Sequence, residues 1–225
     1  MTTLRTPDDV KVAIIGGSGK LGRSLARKLL EAGHSIVIGS RSRETAAAAA
    51  HSLAEALHLG DSSTPQIASD ANEGACQSAD IVILAIPEAS YADLLPPLRE
   101  ACRDKIVLST AVPFPLSASP TSAGEKAQEL LPEAHVVAGL HTVSHAVLES
   151  ASPLDEDAIL TADDPRDAES LESLLQSIPG LRVVYGGPLQ YARITESLTH
   201  LLIRMNRTYH AATGIRITGI PSSTS

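Results

Sequence analysis

Residues 10–22 read Val-Lys-Val-Ala-Ile-Ile-Gly-Gly-Ser-Gly-Lys-Leu-Gly, and this stretch decides the fold. The apolar run at 10–15 ends on a glycine cluster, which reads as a buried strand. Gly17-Ser18-Gly19-Lys20-Leu21-Gly22 is a G-x-G-x-x-G with Gly16 in front of it. Beyond it Leu21, Leu25 and Leu29 recur at helical spacing, and Gly33 stands where a glycine would end the helix. A bare G-x-G-x-x-G is a weak signal. Between a strand and a helix it has the context that a dinucleotide-binding loop requires. Gly17 is expected to make the tight turn, Gly19 to admit a pyrophosphate to the backbone, and Gly22 to let helix and strand pack closely. Ser18, Lys20 and Leu21 complete a loop whose free amides face negative charge. Lys20 also replaces the last glycine of a G-x-S-x-G nucleophile elbow, which disfavours a hydrolase.

Outward from this stretch, strands and helices alternate. Strands are expected at 35–38, near Ile67, at 80–86 (DIVILAI), at 105–109 and at 135–140. After Asp80 this run is apolar through Ile86, as in a parallel sheet covered on both faces. Helices are expected at 44–59, stopped by Gly60, at 91–102, kinked or started at Pro96-Pro97, and at 125–131, with a Pro- and Ser-rich loop at 114–122. This alternation predicts a doubly wound α/β sheet of the Rossmann type over residues 1–147. A smaller α/β part follows over 148–225, with strands at 158–162 and 182–185, helices at 165–177 and 189–212, and a frayed tail from Pro221.

The end of the second strand selects the dinucleotide. An NAD site wants Asp or Glu there, roughly 20 residues after the glycines. This chain has Gly39-Ser40-Arg41-Ser42-Arg43 instead. The hydroxyl of Ser40 and the guanidiniums of Arg41 and Arg43 suit a 2′-phosphate, so the expected cofactor is NADP. Ile86-Pro87 and Val112-Pro113 close the fourth and fifth strands as apolar walls beside the nicotinamide half. His141, in Gly139-Leu140-His141-Thr142-Val143-Ser144-His145, leaves the sixth strand at the same edge. His34, His51 and His58 read as helix-end or surface residues. Arg204 and Arg207 share a helix face, either solvated or clamping an anionic second substrate.

Composition narrows the partners. Eighteen Lys and Arg against 26 Asp and Glu give a net charge of −8, and aromatics make up 2% of the chain. Such a surface repels polyanions and lacks rings for base stacking, which excludes nucleic acid and acidic membranes as partners. Cys76 and Cys102 form no zinc-like spacing, and no metal site is expected. The N-terminus has no apolar signal-peptide core and no run suits a membrane span, so the expectation is a cytoplasmic protein that binds small-molecule cofactors. Homo-oligomer formation stays open.

The chain resembles the F420H2:NADP oxidoreductases, also called NADPH-dependent F420 reductases, over nearly its whole length. The resemblance is carried by GGSGKLG at 16–22, GSRSR at 39–43, DIVILAIP at 80–87, GLHTVS at 139–144, GGPL at 186–189, ARITESLT at 192–199 and GIRITGIP at 214–221. It implies NADP on the Rossmann part and the deazaflavin of coenzyme F420 between it and the C-terminal part, with hydride transfer between the two. By position, His141 and Val143 would line the deazaflavin pocket. His141 would orient the ring or donate a hydrogen bond rather than serve as an obligatory acid. Arg204, Arg207 and Arg216 would supply local attraction for the anionic F420 tail. The rival readings are an NADPH-dependent reductase of another acceptor, such as a flavin, imine or ferric chelate, and a non-catalytic NADP(H) sensor.

Overall fold

The computed structural model describes residues 10–59, 66–115 and 121–220. The stop expected at Gly60, the middle of the loop at 114–122 and the polar ends at 1–9 and 221–225 lie outside them. The chain order is β1 (Lys11–Ile15), α1 (Lys20–Glu31), β2 (Ser35–Ser40), α2 (Arg43–Ala56), β3 (Ile67–Ala71), α3 (Asn72–Gln77), β4 (Ile81–Leu84), α4 (Tyr91–Leu94), α5 (Arg99–Cys102), β5 (Ile106–Ser109), α6 (Ala123–Leu130), β6 (His135–Ala138) and α7 (His145–Glu149). The smaller part adds β7 (Glu156–Leu160), α8 (Pro165–Gln176), β8 (Leu181–Tyr185) and α9 (Ala192–Tyr209).

Strands β1 to β6 form one parallel sheet in the order β3-β2-β1-β4-β5-β6, the doubly wound Rossmann arrangement. Side chains alternate across it. Val12, Ile14, Ile36, Ile38, Ile83 and Leu108 face one core with α1 and α2, while Ala13, Ile15, Val82, Leu84 and Val107 face the other with α3 to α6. Both faces are covered, which is why β1 and β4 read as unbroken apolar runs. Each fully buried Ile or Leu contributes about 1.5–3 kcal/mol of transfer free energy.

Strands β7 and β8 pair in parallel as a second small sheet. It joins the large one through Ala138 and Thr161, which exchange both backbone hydrogen bonds at 2.9 Å. The expected junction at 147/148 falls inside α7, a five-residue helix started by Ser144, whose hydroxyl accepts the Val147 amide. Arg27 and Lys28 of α1 donate to the Leu148 and Ser150 carbonyls, so α7 is fastened to the larger sheet's part. The expected helix at 91–102 is broken by a tight turn at Pro96–Leu98, since each proline lacks an amide for the helical ladder. α2 ends at Ala56 ahead of His58, whose φ of 54° reverses the chain. His34 is buried rather than a surface residue, with Nε2 2.9 Å from the Ser177 hydroxyl.

Candidate functional site

The strand order reverses between β1 and β4, and the crevice at their carboxyl ends is where such sheets bind ligands. Gly16 (φ 84°), rather than Gly17, is the left-handed residue of the turn, and a Cβ there would lie 2.6 Å from the Ala85 carbonyl oxygen. Gly17 donates to the Ile14 carbonyl and Gly19 to that of Gly16. A Cβ on Gly22 would lie 2.5 Å from the Gly16 carbonyl oxygen and 2.8 Å from the Gly17 Cα, so α1 rests directly on the loop. Gly19 caps α1 without a side-chain acceptor, and no acid stands in the first turn. The first amides of α1 are therefore open to an anion.

A cleft of about 390 Å³ runs from this loop to the end of β2, lined by Gly16, Ser18, Gly19, Ser40, Arg41 and Thr45. Lys20, the first residue of α1, is exposed and does not line this cleft. Arg41 is exposed and faces this cleft, whereas Arg43 opens α2 and donates from Nε to Asp70 at 2.6 Å. Asp70 is an acid that the local sequence does not reveal: β3 brings it opposite Gly39. The Ala71 amide and the Arg43 guanidinium hold its carboxyl below the usual range. Arg43 thus pairs with a neighbouring acid at the end of β2.

A second cleft of about 600 Å³ shares Ala85, Ile86 and Pro87 with the first. Leu21, Val112, His141 and Val143 also line it. Pro113 is buried behind this wall, its carbonyl 3.1 Å from His200 Nε2. Leu140, in the left-handed region (φ 62°), turns the chain at the end of β6 so that His141 and Val143 border the cleft. The Thr195 hydroxyl gives its proton to the Ala192 carbonyl at 2.9 Å, so at 3.3 Å it accepts from His141 Nδ1. Nε2 is buried and makes no hydrogen bond among the described residues. Burial holds the imidazole down at about 4, against a smaller opposite pull from the Ser109 carbonyl. At neutral pH His141 is therefore a neutral imidazole at the cleft wall.

The far wall is α9. Thr195, Thr199, Leu202 and Asn206 follow at i, i+4, i+7 and i+11, one helix face. Thr199 donates to the His141 carbonyl at 2.8 Å. Asn206 Oδ1 accepts from the Thr213 amide and hydroxyl, fixing the turn after α9 against the cleft. That periodicity was visible in the sequence, and it marks these four better than the arginines. Arg204 and Arg207 are exposed and do not line the cleft, and Arg216 lies 3.4 Å from Asp155 and 3.7 Å from Asp157. Among the described residues no group of His, Cys, Asp and Glu could hold a metal ion, and no helix is long and apolar enough to cross a membrane.

Known proteins resemble this chain in sequence and fold. A family model described as "NADP oxidoreductase coenzyme F420-dependent" matches residues 11–113. The F420-dependent NADP reductase of Methanothermobacter thermautotrophicus is 36% identical, with 94% of this chain aligned to 96% of that protein. That of Methanocaldococcus jannaschii is 34% identical, with 94% and 99% aligned. The crystal structure of a putative F420-dependent NADP reductase from Arthrobacter sp. FB24 superposes with a TM-score of 0.76 at 26% identity, over 90% of this chain and 96% of that one. An imine reductase from Bacillus cereus shares the fold at a TM-score of 0.60 and 18% identity, over 89% of this chain and 63% of that one. A likeness of this identity over nearly the whole of both chains leaves one assignment: the chain belongs to the family of F420-dependent NADP reductases.

Proposed function

We propose that this chain is an oxidoreductase that transfers a hydride between NADP(H) and the deazaflavin coenzyme F420. The observation that carries the reading is the pair of abutting clefts. One has open helix amides and Arg41, the other is largely apolar, and both share Ala85, Ile86 and Pro87. The two cofactors supply the redox chemistry, and the protein supplies orientation and a dry surface. The glycine loop at 16–22 would hold the pyrophosphate, and Ser40 and Arg41 the 2′-phosphate. Ile86, Pro87, Val112 and Val143 would keep water from the reacting faces. In this reading the part through α7 carries the dinucleotide, and the part from β7 onward helps to enclose the acceptor. Arg204 and Arg207, which form no ion pair among the described residues, would draw an anionic tail towards α9. Mixing the purified protein with NADPH and oxidised F420 tests the proposal: the deazaflavin absorbance should fall, and no change would overturn it.

Arg41→Ala should weaken NADPH binding by about 10- to 100-fold, the equivalent of one charge-assisted bond of about 1.5–3 kcal/mol, and leave NADH little changed. Equal losses for both nucleotides in steady-state kinetics would remove Arg41 from the 2′-phosphate. His141→Ala is expected to slow single-turnover hydride transfer by less than about 100-fold, because an essential proton donor contributes about 100- to 10,000-fold. A group held at about 4 is almost entirely neutral at pH 7 and has no proton to give. The imidazole should matter more for F420 affinity than for rate. Rapid mixing with deuterated NADPH across pH is the check. A collapse beyond about 1,000-fold, with loss of a steep pH dependence, would make His141 the acid.

A further inference from the structure

Glu196 of α9 is 1% exposed, yet it faces neither cleft. Its carboxylate accepts the Ala123 amide at 3.0 Å and the Gly124 amide at 3.1 Å, the first two of α6. Ser122 accepts the third, from Glu125, at 3.0 Å. Glycine at 124 lets the start of α6 pack tightly on β6 and the turn before α9: a Cβ there would lie 2.7 Å from the Ala138 Cβ and 3.1 Å from the Leu189 Cδ1. One turn further along α9, His200 bonds the Pro113 carbonyl and its ring lies 4.3 Å from that of Phe114. The segment leaving β5 supplies Thr110, Ala111 and Val112 to the second cleft. α9 therefore grips this segment through His200 and, beyond it, grips α6 through Glu196, while Thr199, Leu202 and Asn206 form the opposite wall.

We infer that Glu196 is a positioning residue that sets the width of the second cleft by holding α6 and the β5 side against α9. The inference rests on the reading of that cleft as the F420 site. A buried carboxylate in this place links the cleft to pH. Burial, with Glu125 and Glu88 adding negative charge, raises its carboxyl to about 7 despite the two amides. Tyr91 faces it from α4 as a neutral phenol, Lys126 of α6 is paired with Glu88, and His200 on the same helix is turned to Pro113. Were the wall to part, the carboxyl would return to its ordinary value near 4.5. An acid raised in the closed arrangement takes up a proton with closure, so its support is full below 4.5 and is lost as pH rises towards 7.

The test compares Glu196→Gln with the parent in F420 affinity from pH 5.5 to 8, using NADPH affinity as the control. Titration of F420 itself is common to both proteins and cancels in their ratio. The parent is expected to weaken relative to the glutamine variant by about tenfold over this range, in KM for F420 rather than for NADPH. Exchange of the Ala123 and Gly124 amides in the parent, normalised to Ile83 in β4, should rise between pH 6 and 8, and this holds even if the variant fails to fold. Parallel pH curves, or a flat normalised exchange, would overturn the inference. If the parent binds no F420 at all, the activity reading fails instead, and the amide exchange still decides the role of Glu196.

Discussion

Gly22→Ala is expected to raise the dissociation constant for NADPH by at least about 100-fold while the protein stays folded. The added Cβ would meet the Gly16 carbonyl oxygen at 2.5 Å and the Gly17 Cα at 2.8 Å. Both are backbone atoms, so no side chain can swing aside and α1 must move off the loop. Two stability effects oppose each other. Alanine in place of a helical glycine gains about 1 kcal/mol, and overpacking costs about 1–3 kcal/mol. The net loss is therefore small. Binding has no such offset, because the amides at the start of α1 are displaced from the pyrophosphate they would hold. Gly33→Ala is the control: nothing lies within 4 Å of its Cβ, and only the φ of 95° is strained. It should lower stability by about 1–2 kcal/mol and leave NADPH binding unchanged. Titration of NADPH fluorescence together with urea denaturation separates the two variants. A Gly22→Ala protein that binds NADPH like the parent would remove the phosphate from this loop.

The dinucleotide end of the site was legible because its parts are local. A strand, a glycine loop and a helix lie within 22 residues of sequence, and the strand end with Arg41 follows directly. The acceptor end was less so, because His141 meets Thr195 and Thr199 across 54 and 58 residues. Misreadings have the same origin. The pairing of Arg43 with Asp70 was hidden, because β3 brings the acid in from 27 residues away. α3 was missed because a helix of six residues, two of them Asn72 and Glu73, shows no apolar periodicity. The seventh strand was expected at 158–162 and begins at Glu156, since two carboxylates at its start read as loop. Both are buried, and Asp157 is buried for a reason that only the folded tail reveals.

Asp157→Ala should cost about 3–5 kcal/mol, the loss expected when one partner of a buried ion pair is removed. Its side chain is inaccessible, and Arg182 donates to it from Nε at 2.9 Å and from Nη2 at 2.7 Å. The Ile217 amide adds a third bond at 2.7 Å. Burial pushes this carboxyl up, but the Arg182 and Ile217 donors outweigh it and hold it below the usual range. That stability is present above the ordinary value of 3.8 and is lost as pH falls below it. Arg182 also donates to the carbonyls of Ile217 and Ile220, so the pair is the anchor of the segment after α9. Ala211–Thr213, in the same segment, borders the second cleft and is tied to Asn206. Loss of the anchor should therefore raise KM for F420 and expose the tail to protease while KM for NADPH stays near the parent value. Replacing Arg182 with Met in the same protein should recover much of the stability, because no unpaired charge is left buried, but should leave the tail unanchored. Urea denaturation measures the first effect and limited proteolysis the second. If Asp157→Ala stays within about 1 kcal/mol of the parent, or its tail resists cleavage, the ion pair is not what fastens the segment to the cleft.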